Sequence, residues 1–150
     1  MERSSQLRKL TTMGMMAAVS IILVYLIHFP IFPAASFLEY DPADIPIFIC
    51  TFLYGPLSGF ILTVIVSFIQ GFTVSAQSGI IGVMMHIFAT GFFTIVAGNI
   101  YKNNRNKKTA VKALIIGSII MVLMMCIWNI IFTPLFMGTP RDVVMKMIVP

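Results

Sequence analysis

Long uncharged apolar stretches alternate along this chain with short polar or proline-bearing breaks, and the breaks define the expected elements. The first stretch runs from about Leu10 to His28 and ends at Phe29-Pro30 and Phe32-Pro33, where a residue before proline is driven out of the helical region. From Ile45 to Gly71 the chain is apolar again, but Gly55-Pro56 interrupts it with a turn signal. Reversal at that point predicts a segment two of about Ile45 to Tyr54 and a segment three of about Pro56 to Gly71. Segment four is expected over Gly79 to Tyr101 and segment five over Ala110 to Phe132, with Thr133-Pro134 closing it. Asp142 to Pro150 turns apolar once more and reads as the start of a sixth helix, so residues 1–150 are expected to form one transmembrane domain that is C-terminally incomplete. Segment two is the odd member. Its ten residues make roughly 15 Å of helix against a hydrocarbon core of about 30 Å, so it cannot span without borrowing flanking residues.

Composition turns these helices into membrane helices. With 59% hydrophobic and 10% charged residues, the chain is far from the roughly 25% charged content of a soluble domain. An all-α integral membrane protein follows, with no length left for an appended ATPase or catalytic domain, so any energy must come from a gradient or a partner. Cys50 and Cys126 are distant and both apolar in context, which indicates neither a disulfide framework nor a metal cluster.

The distribution of charge selects between topologies. Of ten basic residues, eight fall in two patches: Arg3, Arg8 and Lys9 before the first span, and Lys102, Arg105, Lys107, Lys108 and Lys112 after the fourth. If Ile45 to Gly71 crossed once, a cytoplasmic N-terminus would put the second patch outside; reversal at Gly55-Pro56 keeps both inside. The expected localisation is therefore the cell membrane, multi-pass, with the N-terminus cytoplasmic. Basic residues flanking apolar spans argue against a nucleic-acid partner, and the first span lacks a small-residue cleavage site and is expected to stay.

Between Leu10 and Leu38, and again between Ile45 and Tyr101, there is no Asp, Glu, Lys or Arg. Proton-coupled carriers, intramembrane proteases and acid-lined cation channels need ionisable groups at membrane depth, and only His28 and His86 are available here. Binding without built-in energy remains, with no enzyme activity, no cofactor and no metal expected.

Candidate binding residues cluster at the external connections. Glu39, Asp41 and Asp44 crowd into Phe37-Leu-Glu-Tyr-Asp-Pro-Ala-Asp-Ile-Pro46. One reading is capping: Asp41 before Pro42 as N-cap with Asp44 as its capping-box partner, or Asp44 as the true cap with Asp41 in the preceding turn. The other is a loop covering an external site, with Phe37 and Tyr40 as flat surfaces. Trp128-Asn129 near the outer end of segment five offers either an interfacial aromatic and an interhelical amide, or a pair that reads a ligand. His86 inside segment four is read as an interhelical hydrogen-bonding group or a ligand contact, and Gln70 and Gln77 as solvated. Gly14 and Ala18 form a small-xxx-small pair on the first helix, either packing internally or docking another membrane subunit.

The stretch Leu38-Glu39-Tyr40-Asp41-Pro42-Ala43-Asp44-Ile45-Pro46, followed by Gly55-Pro56-Leu57-Ser58-Gly59, resembles the substrate-binding S-components of energy-coupling factor vitamin transporters, most nearly the riboflavin-specific branch. That branch carries a Leu-Lys-x-Asp-Phe-Ser-Asp-Ile-Pro stretch and a Gly-Pro-Leu-x-Gly turn; here Glu39 replaces the lysine and Pro42-Ala43 replace Phe-Ser. The resemblance implies a six-helix bundle, of which five helices and the start of a sixth are present. It also implies a vitamin as ligand, and as partners a transmembrane coupling protein with ATPase subunits. Asn129 resembles a ligand-contacting asparagine of flavin-binding members, and Gly14 with Ala18 occupy the spacing of the family's Ala-xxx-Ala docking face. Segment three departs from the flavin-binding pattern, with Thr63, Val66 and Ser67 where a Glu-x-x-Lys-Asn stretch often stands. The expected function is a membrane binding subunit for riboflavin or a related vitamin. The expected substrate contacts are Asn129, Tyr40, Asp41, Asp44, Phe37, Trp128 and His86. A pantothenate or pyridoxine-like ligand, or a structural subunit without ligand, are the alternatives.

Overall fold

A computed structural model describes residues 2–27, 30–32, 35–39, 41–74 and 79–138. Five helices appear in the order α1 (Glu2–Leu26), α2 (Asp44–Tyr54), α3 (Pro56–Phe72), α4 (Gly79–Asn103) and α5 (Lys107–Met137). Between α1 and α2 lie two short strands, β1 (Pro30–Phe32) and β2 (Ala35–Glu39), paired antiparallel with Pro30 opposite Glu39 and Phe32 opposite Ala35. Among the described residues this connection is a hairpin, and Pro30 is the first residue of its first strand, where a missing N–H is tolerated.

Reversal at Gly55-Pro56 is observed. Gly55 takes φ +94°, the left-handed region open to glycine, and Pro56 begins α3 where its missing N–H would have no partner anyway. Two boundaries differ from expectation by more than one helical turn. α1 begins at Glu2 rather than Leu10, because the polar residues before Leu10 continue its backbone hydrogen bonds. α5 runs through Pro134 to Met137 instead of closing there, and Gly138 at φ +61° ends it. A proline inside an apolar helix removes one backbone bond without ending the ladder, which membrane helices accommodate.

Among the described residues three helices, α1, α4 and α5, are long and apolar enough to cross a membrane, while α2 and α3 are shorter. Their packing follows small and hydroxyl-bearing residues. α3 buries Ser58, Gly59, Leu62, Thr63, Val66, Ser67 and Gln70, a stripe repeating every three or four residues. α4 faces it with Ala89, Thr90, Gly91, Phe93, Thr94, Ala97 and Gly98. A Cβ on Gly98 would lie 2.8 Å from Pro56 Cα and 2.9 Å from Thr51 Cγ2, so only glycine allows the α2–α3 turn to lie this close to α4. The buried hydroxyls mostly donate within their own helix: Thr51 to the Ile47 carbonyl at 2.8 Å, Thr63 to Gly59 at 2.9 Å and Ser67 to Thr63 at 2.6 Å. Phe93 fills the centre, stacked on Phe48 at 3.7 Å between ring centroids.

The two ends of the bundle are distinct. At one, Tyr54 shares a groove with Arg3, Arg8 and Thr12 of α1, and Phe52 meets Tyr101 at 4.8 Å. The start of α1, the α2–α3 turn and the end of α4 with its basic loop therefore share one end, as the charge-parity argument required. At the opposite end, Ser20 of α1 donates to the Ala43 carbonyl at 3.1 Å, and the hairpin departs.

Candidate functional site

The hairpin end holds a buried polar cluster assembled from four elements. Asp41 comes from the segment after β2, Asp44 from the first residue of α2, Ser67 and Gln70 from α3, and His86 and Thr90 from α4. His86 Nε2 lies 3.3 Å from Asp41 Oδ2 and 3.3 Å from Asp44 Oδ1, within ion-pair distance although off line for a hydrogen bond. Its Nδ1 is 2.6 Å from Ser67 Oγ. Gln70 Nε2 donates to both Asp41 oxygens at 3.1 Å, and the Thr90 hydroxyl donates to Asp44 Oδ1 at 3.0 Å.

Donor accounting constrains the imidazole. Ser67 Oγ lies 2.6 Å from both the Thr63 carbonyl and His86 Nδ1, and its single proton serves one of them. A bare Nε2 would present a lone pair to two carboxylates, so the cluster holds a proton between Nε2 and the aspartates. Burial alone would raise the pKa of Asp41; His86, the Ala43 N–H and the Gln70 amide together hold it below its ordinary value of 3.8.

This geometry revises the capping reading. The N-cap of α2 is Ala43, which makes no side-chain cap, so no capping box forms. Asp41 Oδ1 instead accepts the Ala43 N–H at 2.9 Å, a turn closed two residues on, and Asp44 points to α4. The structure also corrects Gln70, which is buried at 4% exposure and committed to Asp41 rather than solvated. Ser67, Gln70 and Thr90 were missed as site residues. Their spacing carried a signal: Ser67 with Gln70 and His86 with Thr90 are three and four apart, each pair on one helix face.

A second, flat feature lies alongside. Trp128 of α5 stacks on Phe132 at 4.1 Å and on Phe88 of α4 at 5.1 Å, and Phe88 approaches Phe92 at 6.5 Å. The Trp128 Nε1 donor is buried without a hydrogen-bond partner among the described residues. Asn129 next to it is buried at 3% exposure. Of the other expected site residues, Phe37 lies in β2, while Tyr40 lies outside the described residues, as do Gln77 and the start of a sixth helix at 142–150. Gly14 and Ala18 both lie on the exposed side of α1, away from the buried row Met13, Ala17, Ser20 and Val24, and nothing approaches a Cβ at Gly14 within 4 Å. Internal packing is thereby excluded for Gly14 among the described residues.

A family model for the substrate-specific component of ECF transporters matches residues 8–150, and the chain belongs to that family. It is 30% identical over 132 residues to the riboflavin transporter RibU of Staphylococcus aureus strain TCH60, covering 87% of this chain and 68% of that protein. It is 25% identical over 125 residues to the riboflavin transporter FmnP of Bacillus subtilis strain 168, covering 83% and 65%. A solved S component of a bacterial ECF transporter superposes with TM-score 0.80 at 27% identity, over 97% of this chain and 84% of that one. The chain thus spans about two thirds of the length of these curated relatives. It is a multi-pass membrane protein with an S-component fold.

Proposed function

We propose that the chain forms the capture site of a vitamin-uptake system and that its ligand is riboflavin. The observation that carries this reading is the Phe88–Trp128–Phe132 aromatic row beside buried Asn129, at the hairpin end of α4 and α5. A planar heteroaromatic ring gains offset stacking on such a surface, while an amide and an indole N–H match alternating acceptors and donors along its edge. The names of the two relatives agree with a flavin. Asn129 and Trp128 are assigned the ring, and β2 with Phe37, followed by the segment to Asp44, is assigned the cover. Asp41, Asp44 and His86 lie within ion-pair distance of one another and are tied to Gln70, Thr90 and Ser67, so they act behind the ligand rather than on it.

The same reading places the hairpin end outside the cell and the basic end in the cytoplasm, as the clustered Arg and Lys residues favour. Energy then comes from a coupling protein and its ATPases, docked on the exposed Gly14–Ala18 face of α1. Fluorescence titration of the purified protein tests the ligand. Riboflavin fluorescence is expected to be quenched at stoichiometric protein, and Asn129→Ala and Trp128→Ala are each expected to weaken binding at least tenfold. Undiminished free-flavin fluorescence with wild-type protein would reject the flavin, and saturable binding of pantothenate or a pyridoxine-like compound instead would reassign the substrate.

A further inference from the structure

We propose that His86 is a positioning residue of this site: through Asp41 it pins the root of the β1–β2 hairpin to α3 and α4, and so fixes where the cover stands. The inference rests on the riboflavin reading for its functional consequence and on geometry alone for its structural one.

An isolated two-stranded hairpin is marginal, so its position is set by its attachments. On the α1 side the hairpin follows Leu26 after a short connection. On the other side, Asp41 follows Glu39, the last residue of β2, by two positions. Among the described residues, Asp41 is the side-chain tie nearest the end of β2. Each of its oxygens receives the Gln70 amide, one also takes the Ala43 N–H, and the other faces His86 Nε2. Gln70 belongs to α3 and His86 to α4, so the root is tied to two helices at once.

His86 joins this tie to a second helix and a second carboxylate. Its Nδ1 is hydrogen-bonded to Ser67 of α3, which holds the ring in place, and its Nε2 faces both Asp41 and Asp44. Thr90, one turn further along α4, holds Asp44 from the same helix. The groups facing the imidazole are thus Asp41 from the connecting segment, Asp44 from α2, and Ser67 from α3. Phe37 stands on β2, four residues before Asp41. Asp41 and Asp44, which stand in the motif that carries the family resemblance, here act on the hairpin and not on the ligand.

The test uses the intact chain in lipid nanodiscs, with two substitutions of similar size at one position. His86→Phe keeps a planar ring and removes both ring nitrogens; His86→Gln keeps an amide donor for a carboxylate. Without ligand, amide hydrogen exchange over residues 35–41 is expected to rise at least tenfold in His86→Phe, to be partly restored in His86→Gln, and to stay unchanged in α5. With riboflavin, the dissociation rate is expected to rise at least tenfold while the association rate changes less than threefold. Wild-type exchange at 35–41 in a folded His86→Phe protein overturns the proposal, and so does a uniform rise throughout α2 to α4, which is the mark of a merely structural residue. If His86→Phe does not fold, Asp41→Asn reports the same exchange change, and its absence there is equally fatal. Failure of wild-type protein to bind riboflavin refutes the ligand and leaves the exchange result to decide the pin.

Discussion

The α2–α3–α4 layer and helix α5 solve the same problem in opposite ways. The layer buries Thr51, Thr63, Ser67, Thr90 and Thr94 at or below 1% exposure, with Asp44 and Gln70 beside them. Among the described residues α5 packs chiefly on α4 and leaves Ile115, Ile119, Val122, Leu123 and Ile127 half exposed or more. In a bilayer, hydrocarbon tails are as apolar as leucine, so leucine and isoleucine gain little by facing another helix. Close approach through glycine and shared polar bonds holds the layer, and large apolar side chains are relegated to the lipid. A soluble protein would show the inverse.

The strongest way to break this contrast is to enlarge a contact glycine. Gly98→Leu forces atoms into Pro56 and Thr51 and is expected to destabilise the fold by about 2 kcal/mol or more. Gly14→Leu, on the open face of α1, is expected to leave thermal stability unchanged. Thermal unfolding followed by size-exclusion chromatography compares the two, and equal losses would erase the distinction between packed and open faces. Next in size is Thr90→Val, which keeps the shape and strips a donor from buried Asp44, for an expected cost of about 1–3 kcal/mol. Ile119→Ala, at 56% exposure on α5, is expected to stay within about 0.5 kcal/mol, and the reverse order would contradict the account of what holds the helices. The smallest effect is a pH dependence. Because partners hold the Asp41 pKa below its unfolded value, its stabilisation is present at neutral pH and is lost as pH falls through the folded-state pKa. The difference in melting temperature between wild type and Asp41→Asn is therefore expected to be full at pH 7 and to shrink below about pH 4. A difference that grows on acidification would show the sign to be wrong.

Hydrophobic runs and charge placement made the helices legible, including the reversal at Gly55-Pro56, because the parity of spans and the positive-inside bias both bear on it. The hairpin was not legible. Pro30-Ile-Phe32 and Ala35 to Glu39 are too short and too broken by proline to carry an alternating pattern, and their pairing depends on helix ends that bring both termini together. The end of α5 was misplaced because proline is read as a stop, a rule learned from water, where freed backbone groups are easily solvated. Within the site, Asp41, Asp44, His86, Trp128 and Asn129 stood out by rarity in apolar surroundings. Ser67, Gln70 and Thr90 did not, since hydroxyls and amides in such helices so often bond their own backbone; only the facing carboxylates give Gln70 and Thr90 their role.

The shortness of α2 has a consequence for the membrane itself. Its outward row of Ile45, Ile49 and Leu53 is exposed and covers about 12 Å along the axis, whereas α4 is about 38 Å long. Lipids on the α2 flank therefore meet a hydrophobic height well under the roughly 30 Å that a relaxed bilayer presents, and those on the far side meet a full one. Such a wedge is relieved by local thinning or by tilt of the whole body. Acyl-chain length thus becomes a variable that can set how this protein leans, and lipids with short chains are expected to gather on one side of it.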